Sequence, residues 1–136
     1  MTKELELTLS KESNIYRRFY KGFEYWIIRP NNALRFTKNP ITIHLCGYVV
    51  IPKDSKYFES DDYYNYDIDC HWGLTFAGSI EPINVDFAIG FDCAHCNDIN
   101  RLDDNWESSN KATYKDVNYV DEECKSIIDQ LIKQKG

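Results

Sequence analysis

The stretches DIDCHWGLTF (67–76) and NVDFAIGFD (84–92) decide the fold, because both alternate strictly between large apolar residues and polar or small ones. In the first, Ile68, Cys70, Trp72, Leu74 and Phe76 fall on one side, and Asp67, Asp69, His71, Gly73 and Thr75 on the other. In the second, Val85, Phe87, Ile89 and Phe91 oppose Asn84, Asp86, Ala88, Gly90 and Asp92. A period of two is that of a half-buried strand. The connection GSIEPI (78–83), with Gly78 and Pro82, has the residues that close a hairpin. The pattern predicts that Thr75 pairs with Asp86, Gly73 with Ala88, His71 with Gly90 and Asp69 with Asp92. The polar side of this hairpin then carries Asp69, His71, Thr75, Asp86 and Asp92 around a floor of Gly73, Ala88 and Gly90. Small residues there let a ligand approach the backbone.

The apolar side needs a cover, and the C-terminus supplies one. Val117, Val120, Cys124, Ile127, Ile128, Leu131 and Ile132 recur at helical spacing and form one stripe. Asp116 stands where an N-cap belongs. Acidic Asp121, Glu122 and Glu123 precede basic Lys133 and Lys135, as the helix dipole favours. Upstream, FEYWIIRP (23–30) reads as a strand ended by Pro30, and ITIHLCGYVVIP (41–52) as another, with Ile43, Leu45, Val49 and Ile51 on one face. NNALRFTKNP (31–40) reads as loop, and so does 93–113, with one helical turn. Residues 1–20 read as a mobile or peripheral arm, or as a first strand on which Leu5, Leu7 and Leu9 alternate. KDSKYFESDDYYNY (53–66) reads as a long surface loop, a kind more often functional than idle. The expected architecture is a single α+β domain over 1–136, with an antiparallel sheet of about four to five strands covered on one face by the C-terminal helix.

Charge is distributed unevenly along the 136 residues, whose net is −6. Residues 1–53 hold nine Lys/Arg against four Asp/Glu, a net of +5; residues 54–107 hold two against thirteen, a net of −11; the remainder balances at five against five. The basic segment can pack beside the acidic one, or the acidic one can present a surface to a basic partner. No dense basic stripe exists, which disfavours nucleic-acid binding by a basic face. The N-terminal MTKELELTLSKES has no apolar core of a secretory signal, and no apolar run is long enough to span a membrane, so a cytoplasmic location is expected. Five cysteines, an odd number, fit free thiols there.

Candidate site residues gather around the hairpin: Asp69, His71, Gly73, Thr75, Gly90 and Asp92, with His95 and Asp98 just beyond, three apart and on one side of a helical turn. Three chemistries stay open. His71, Asp92, His95 and Asp98 are the ligand types for a divalent metal that activates water, although no HxH or HExxH spacing is present. A His and an Asp can work as an acid–base pair without metal, a like-charged carboxylate pair such as Asp69 and Asp92 raising a pKa; for an enzyme of either kind the catalytic candidates are His71, Asp92 and His95. Or the polar face binds a ligand without catalysis, its histidines being plain hydrogen-bonded residues. Cys93 and Cys96 form a CxxC that, with Cys70 and a histidine, can hold zinc, but the second pair of a zinc ribbon is missing. Walker A, GxGxxG, GxSxG and EF-hand patterns are absent.

Five separated stretches, CGYVVIP (46–52), DDYY (61–64), DIDCHWGLTFAG (67–78), FAIGFDCAHCND (87–98) and YKDVNYVDEECKSIIDQL (114–131), resemble a family of small proteins encoded by bacteriophages and prophages. Its fragments look like CGYVxVP, DYDD, DVHGGLTFxG, WWFGFDCAHxGD and YRDLxYVxxECxSLAxQL, in the same order. The resemblance spans about 44–132 and implies a shared polar set of His71, Gly73, Thr75, Gly90, Asp92, His95 and Asp98. Trp72 and Asn97 stand where the family pattern has Gly, Phe87 and Ala88 replace an aromatic pair, and Cys96 is not part of the pattern. The resemblance implies a phage accessory protein that occupies a host component, a host protein or a small nucleotide signal, and inhibits or sequesters it in counter-defence. The surface expected to do so is acidic and aromatic: Asp61, Asp62, Tyr63, Tyr64 and Asp67, a DNA-mimicking face being one version. The alternative is a small metal-dependent hydrolase acting on a nucleotide or related phosphoester.

Overall fold

A computed structural model describes residues 3–30, 43–95, 98 and 113–134, Tyr64 by its backbone alone. The elements are α1 (Lys3–Lys11), β1 (Ile15–Tyr20), β2 (Phe23–Ile28), β3 (Cys46–Val50), β4 (Phe76–Ile80), β5 (Val85–Asp92) and α2 (Val117–Gln134). The five strands form one antiparallel sheet in the order β1-β2-β3-β5-β4, as the α+β reading expects. Cys96, Asn97, the loop 31–40 and most of 93–113 lie outside the described residues.

The helix α2 covers one sheet face. Asp116 caps it by accepting the Tyr119 N–H at 2.9 Å. Its stripe of Val120, Cys124, Ile127, Ile128 and Leu131 is fully buried against Tyr25, Ile27, Leu45, Val49, Ile89 and Phe91, whereas Ile132 is exposed. Each large side chain buried there contributes about 1.5–3 kcal/mol. Along the flank of α2, Asp121 is also buried, holding the Tyr25 hydroxyl at 2.7 Å and Arg18 at 2.8 Å.

Three sequence expectations change. Residues 67–75 are not a strand. Asp67 (φ 56°), Trp72 (φ 57°) and Gly73 (φ 80°) leave extended backbone, and a tight turn closes with Gly73 N–H donating to Cys70 O at 2.9 Å. Only glycine takes φ near +80° without strain, so Gly73 serves the turn and not an open floor. The β4–β5 register is Phe76↔Gly90, Ala77↔Ile89 and Gly78↔Ala88, with a bulge before Ile80↔Val85. Second, the face away from α2 is not a polar His/Asp surface. It carries its own apolar cluster of Ile80, Val85 and Ala88 with Trp26, Tyr48, Val50 and Phe76. A Cβ on Gly90 would lie 2.6 Å from both Gly47 O and the Tyr48 ring, so the small residue makes room for an aromatic ring and leaves no opening. Third, the alternating leucines do not lie on a strand: Leu5 and Leu9 pack from the helix α1 with Ile43 and Tyr114, and the first strand, β1, follows at 15–20 on the sheet edge. Leucines at 5 and 9 fit a helix face as well as strand alternation, and exposed Leu7 decides between them. Among the described residues no helix is long and apolar enough to cross a membrane.

Candidate functional site

At the end of the sheet where β5 stops, the segment after it and the first turn of α2 converge on the Cys70–Gly73 turn. His71 lies between two partners: Nε2 is 2.7 Å from Asp98 Oδ2, and Nδ1 is 2.7 Å from the Tyr119 hydroxyl. Asp98 is completely buried. It also accepts the His95 backbone N–H (3.1 Å) and pairs through Oδ1 with Lys115 Nζ (3.1 Å), while its own N–H donates to His95 O (3.0 Å). Burial alone would raise the Asp98 carboxyl; the hydrogen bonds from His71 and the His95 N–H, with the Lys115 ammonium beside it, outweigh it and hold the group below the usual carboxylate range. An ionised Asp98 only accepts, so neutral His71 carries its proton on Nε2 and receives the Tyr119 O–H at Nδ1.

A second pair stands beside the first. His95 Nε2 is 2.9 Å from Asp92 Oδ1, but out of line for a hydrogen bond. Asp92 instead accepts from Ala94 N–H (3.2 Å) and, weakly, from the Thr75 hydroxyl (3.4 Å). The His95 ring stacks under Trp72, centroids 5.3 Å apart and planes within 18°, and Trp72 is 57% exposed. The chain's third histidine is here too. His44 Nδ1 is closed off from solvent with no hydrogen-bond partner among the described residues. Burial pulls its pKa down, with Asp92 and Asp98 near enough to oppose the shift.

The expected set therefore assembles only in part. His71, Asp92, His95 and Asp98 do come together, but as two separate pairs whose imidazole rings are 6.3 Å apart. Among the described residues no three His, Cys, Asp or Glu side chains are placed to hold a metal ion, so the four-residue metal set is not formed. Thr75 stays at the margin, its N–H bonded to Gly90 O at 2.9 Å. Asp69 is turned away: its backbone N–H and C=O are both held at 2.7 Å by the side-chain amide of Gln130, and its carboxylate is exposed. Of the zinc candidates, burial pushes the Cys70 thiol up to about 12 and the Cys93 thiol higher still. Sequence reasoning missed His44, Lys115 and Tyr119. Tyr119 lies off the apolar stripe of α2, where periodicity gives no signal, though its stretch is among those quoted for the resemblance.

The acidic loop is fixed rather than loose. Tyr57 and Tyr66 stack at 4.0 Å, the Tyr57 hydroxyl donates to Gln134 Oε1, and Gln134 Nε2 donates to Asp67 O at 3.0 Å. Asp54, Glu59, Asp61, Asp62, Asp67 and Asp69 are all exposed. Among the described residues the basic N-terminal segment does not neutralise them: Arg18 and Lys21 pair at 2.8 Å with Asp121 and Asp129 of α2, and Arg29 with Glu12 at 3.0 Å. Comparison with protein-family models, curated proteins and solved structures gives no match to this chain.

Proposed function

We propose that this chain acts by binding, as an accessory protein of the bacteriophage kind that occupies a host protein and inhibits it in counter-defence. The observation that carries the reading is the loop 54–69, whose exposed carboxylates have no ion-pair partner among the described residues while two glutamines of α2 hold its backbone in place. A surface already ordered loses less entropy on binding, and unpaired carboxylates speed encounter with a basic partner. Asp61, Asp62, Tyr63 and Asp67 belong to this surface. The rival reading, a metal-dependent hydrolase, has less support because its four candidate ligands form two pairs.

Expression of the full chain in host cells, followed by recovery and mass spectrometry of whatever is bound, tests the reading. A host protein captured in stoichiometric amount by the native chain, and lost in the triple variant Asp61→Lys, Asp62→Lys, Asp67→Lys, supports it. Equal capture by the triple variant contradicts the loop assignment, and a nucleotide released on denaturation in place of a protein moves the function to signal sequestration.

A further inference from the structure

Going beyond the binding role and independent of it, we propose that Tyr119 is a nucleophile with Asp98 and His71 as its general base, acting on phosphodiesters that carry a flat aromatic group. The order of the groups is what such a task needs. A completely buried carboxylate fixes the imidazole, the imidazole presents a bare nitrogen to a hydroxyl at 2.7 Å, and exposure rises outward from 1% for the Asp98 side chain through 9% for His71 to 37% for Tyr119. Burial, with Glu123 and Cys93 nearby, raises the Tyr119 phenol above its ordinary pKa. It therefore needs a base at hand to react near neutral pH.

The surroundings select the substrate. Acyl transfer calls for free backbone N–H groups aimed at an oxyanion, but in this turn Ala94 N–H is bound to Asp92 and His95 N–H to Asp98. The positive charge comes from side chains instead. Lys115 Nζ, held 3.1 Å from Asp98 Oδ1, lies 5.8 Å from the centre of the Tyr119 ring, and His71 becomes imidazolium once it has taken the Tyr119 proton. Cationic side chains suit the charge spread over a transferring phosphoryl group. Trp72, stacked on His95 and otherwise open, offers a ring face to a flat substituent.

In the reaction, Tyr119 Oη forms a bond to phosphorus and its proton passes to His71 Nδ1. The bond from phosphorus to the leaving oxygen breaks, and that oxygen departs with the electron pair and takes the proton from the imidazolium. Water then attacks the tyrosyl phosphodiester with the same proton traffic, releasing the phosphomonoester and restoring Tyr119.

Bis(4-nitrophenyl) phosphate, incubated with the full chain, is the probe. The expected result is a burst of 4-nitrophenolate approaching one equivalent per chain, with a 4-nitrophenyl phosphate adduct on the Tyr119 peptide in a mass map. Tyr119→Phe abolishes both. His71→Gln, which keeps a donor towards Asp98, slows the burst on the order of 10²–10⁴-fold, and Trp72→Ala raises the half-saturating probe concentration. An unmodified Tyr119, adducts scattered over other tyrosines, or an unchanged burst in Tyr119→Phe overturns the proposal. None of these outcomes bears on capture of a host protein by the acidic loop.

Discussion

Two histidine–aspartate pairs stand side by side at the end of the sheet, and they are built differently. In His71–Asp98 the side chains are 9% and 1% exposed, and both imidazole nitrogens are engaged. In His95–Asp92 they are 27% and 34% exposed, the contact is out of line, and the ring is held by stacking on Trp72. N···O distances of 2.7 and 2.9 Å thus describe unlike interactions. A buried carboxylate with several donors fixes a tautomer and a direction. An open one is screened by water and leaves the direction of its histidine to other contacts, here the Trp72 ring.

That contrast can be broken from either side. Asp98→Ala strips the partner from His71, Lys115 and the His95 N–H together, and should cost about 3–5 kcal/mol in urea denaturation, the usual loss when a buried pair is broken. A loss as small as that of an exposed pair would mean that water reaches the site. Acid should remove part of the same energy. The folded pKa of Asp98 is lowered, so its contribution is present above about pH 4 and lost as pH falls through the folded value; buried Asp121, also lowered, behaves alike. His44 is lowered as well, so the unfolded chain takes up its proton first and stability starts to decline below about pH 6.5. Thermal melts between about pH 7.5 and 2 should show both declines, and Asp98→Asn should flatten the lower one. Tyr119→Phe, which removes one hydrogen bond and little volume, should cost about 0.5–1.5 kcal/mol. Asp92→Ala should cost about 1 kcal/mol or less. If Asp92→Ala proves the more damaging of the two aspartate changes, the assignment of roles is reversed.

Why the sequence shows some of this and hides the rest follows from particular residues. The alternation in 85–92 and in 67–75 looks alike, yet only the first is a strand. Tyr66, Ile68, Cys70 and Leu74 do pack on the core, so the period of two reports a real alternation of burial. What it does not report is a hydrogen-bonded ladder, and positive φ at Asp67, Trp72 and Gly73 breaks that ladder while leaving Trp72 outside. The helix α2 and its Asp116 cap were legible because stripe and cap are local properties of the chain. His44 and Tyr119 were not, because each joins the site only once the strand β3 and the helix α2 are placed beside β5, and contacts between distant segments leave no local period. Gly90 misled for a related reason. A small residue signals that something comes close, and the Tyr48 ring, not a ligand, is what does.

Long-range ¹H–¹⁵N correlation of the histidine rings at about pH 8 tests the central geometry most directly, since neutral imidazole predominates above its ordinary pKa of about 6.5. The Asp98–His71–Tyr119 arrangement predicts His71 as the Nε2–H tautomer, with an Nδ1 resonance that moves in Tyr119→Phe. The Nδ1–H tautomer, or an Nδ1 signal indifferent to loss of the Tyr119 hydroxyl, would contradict it.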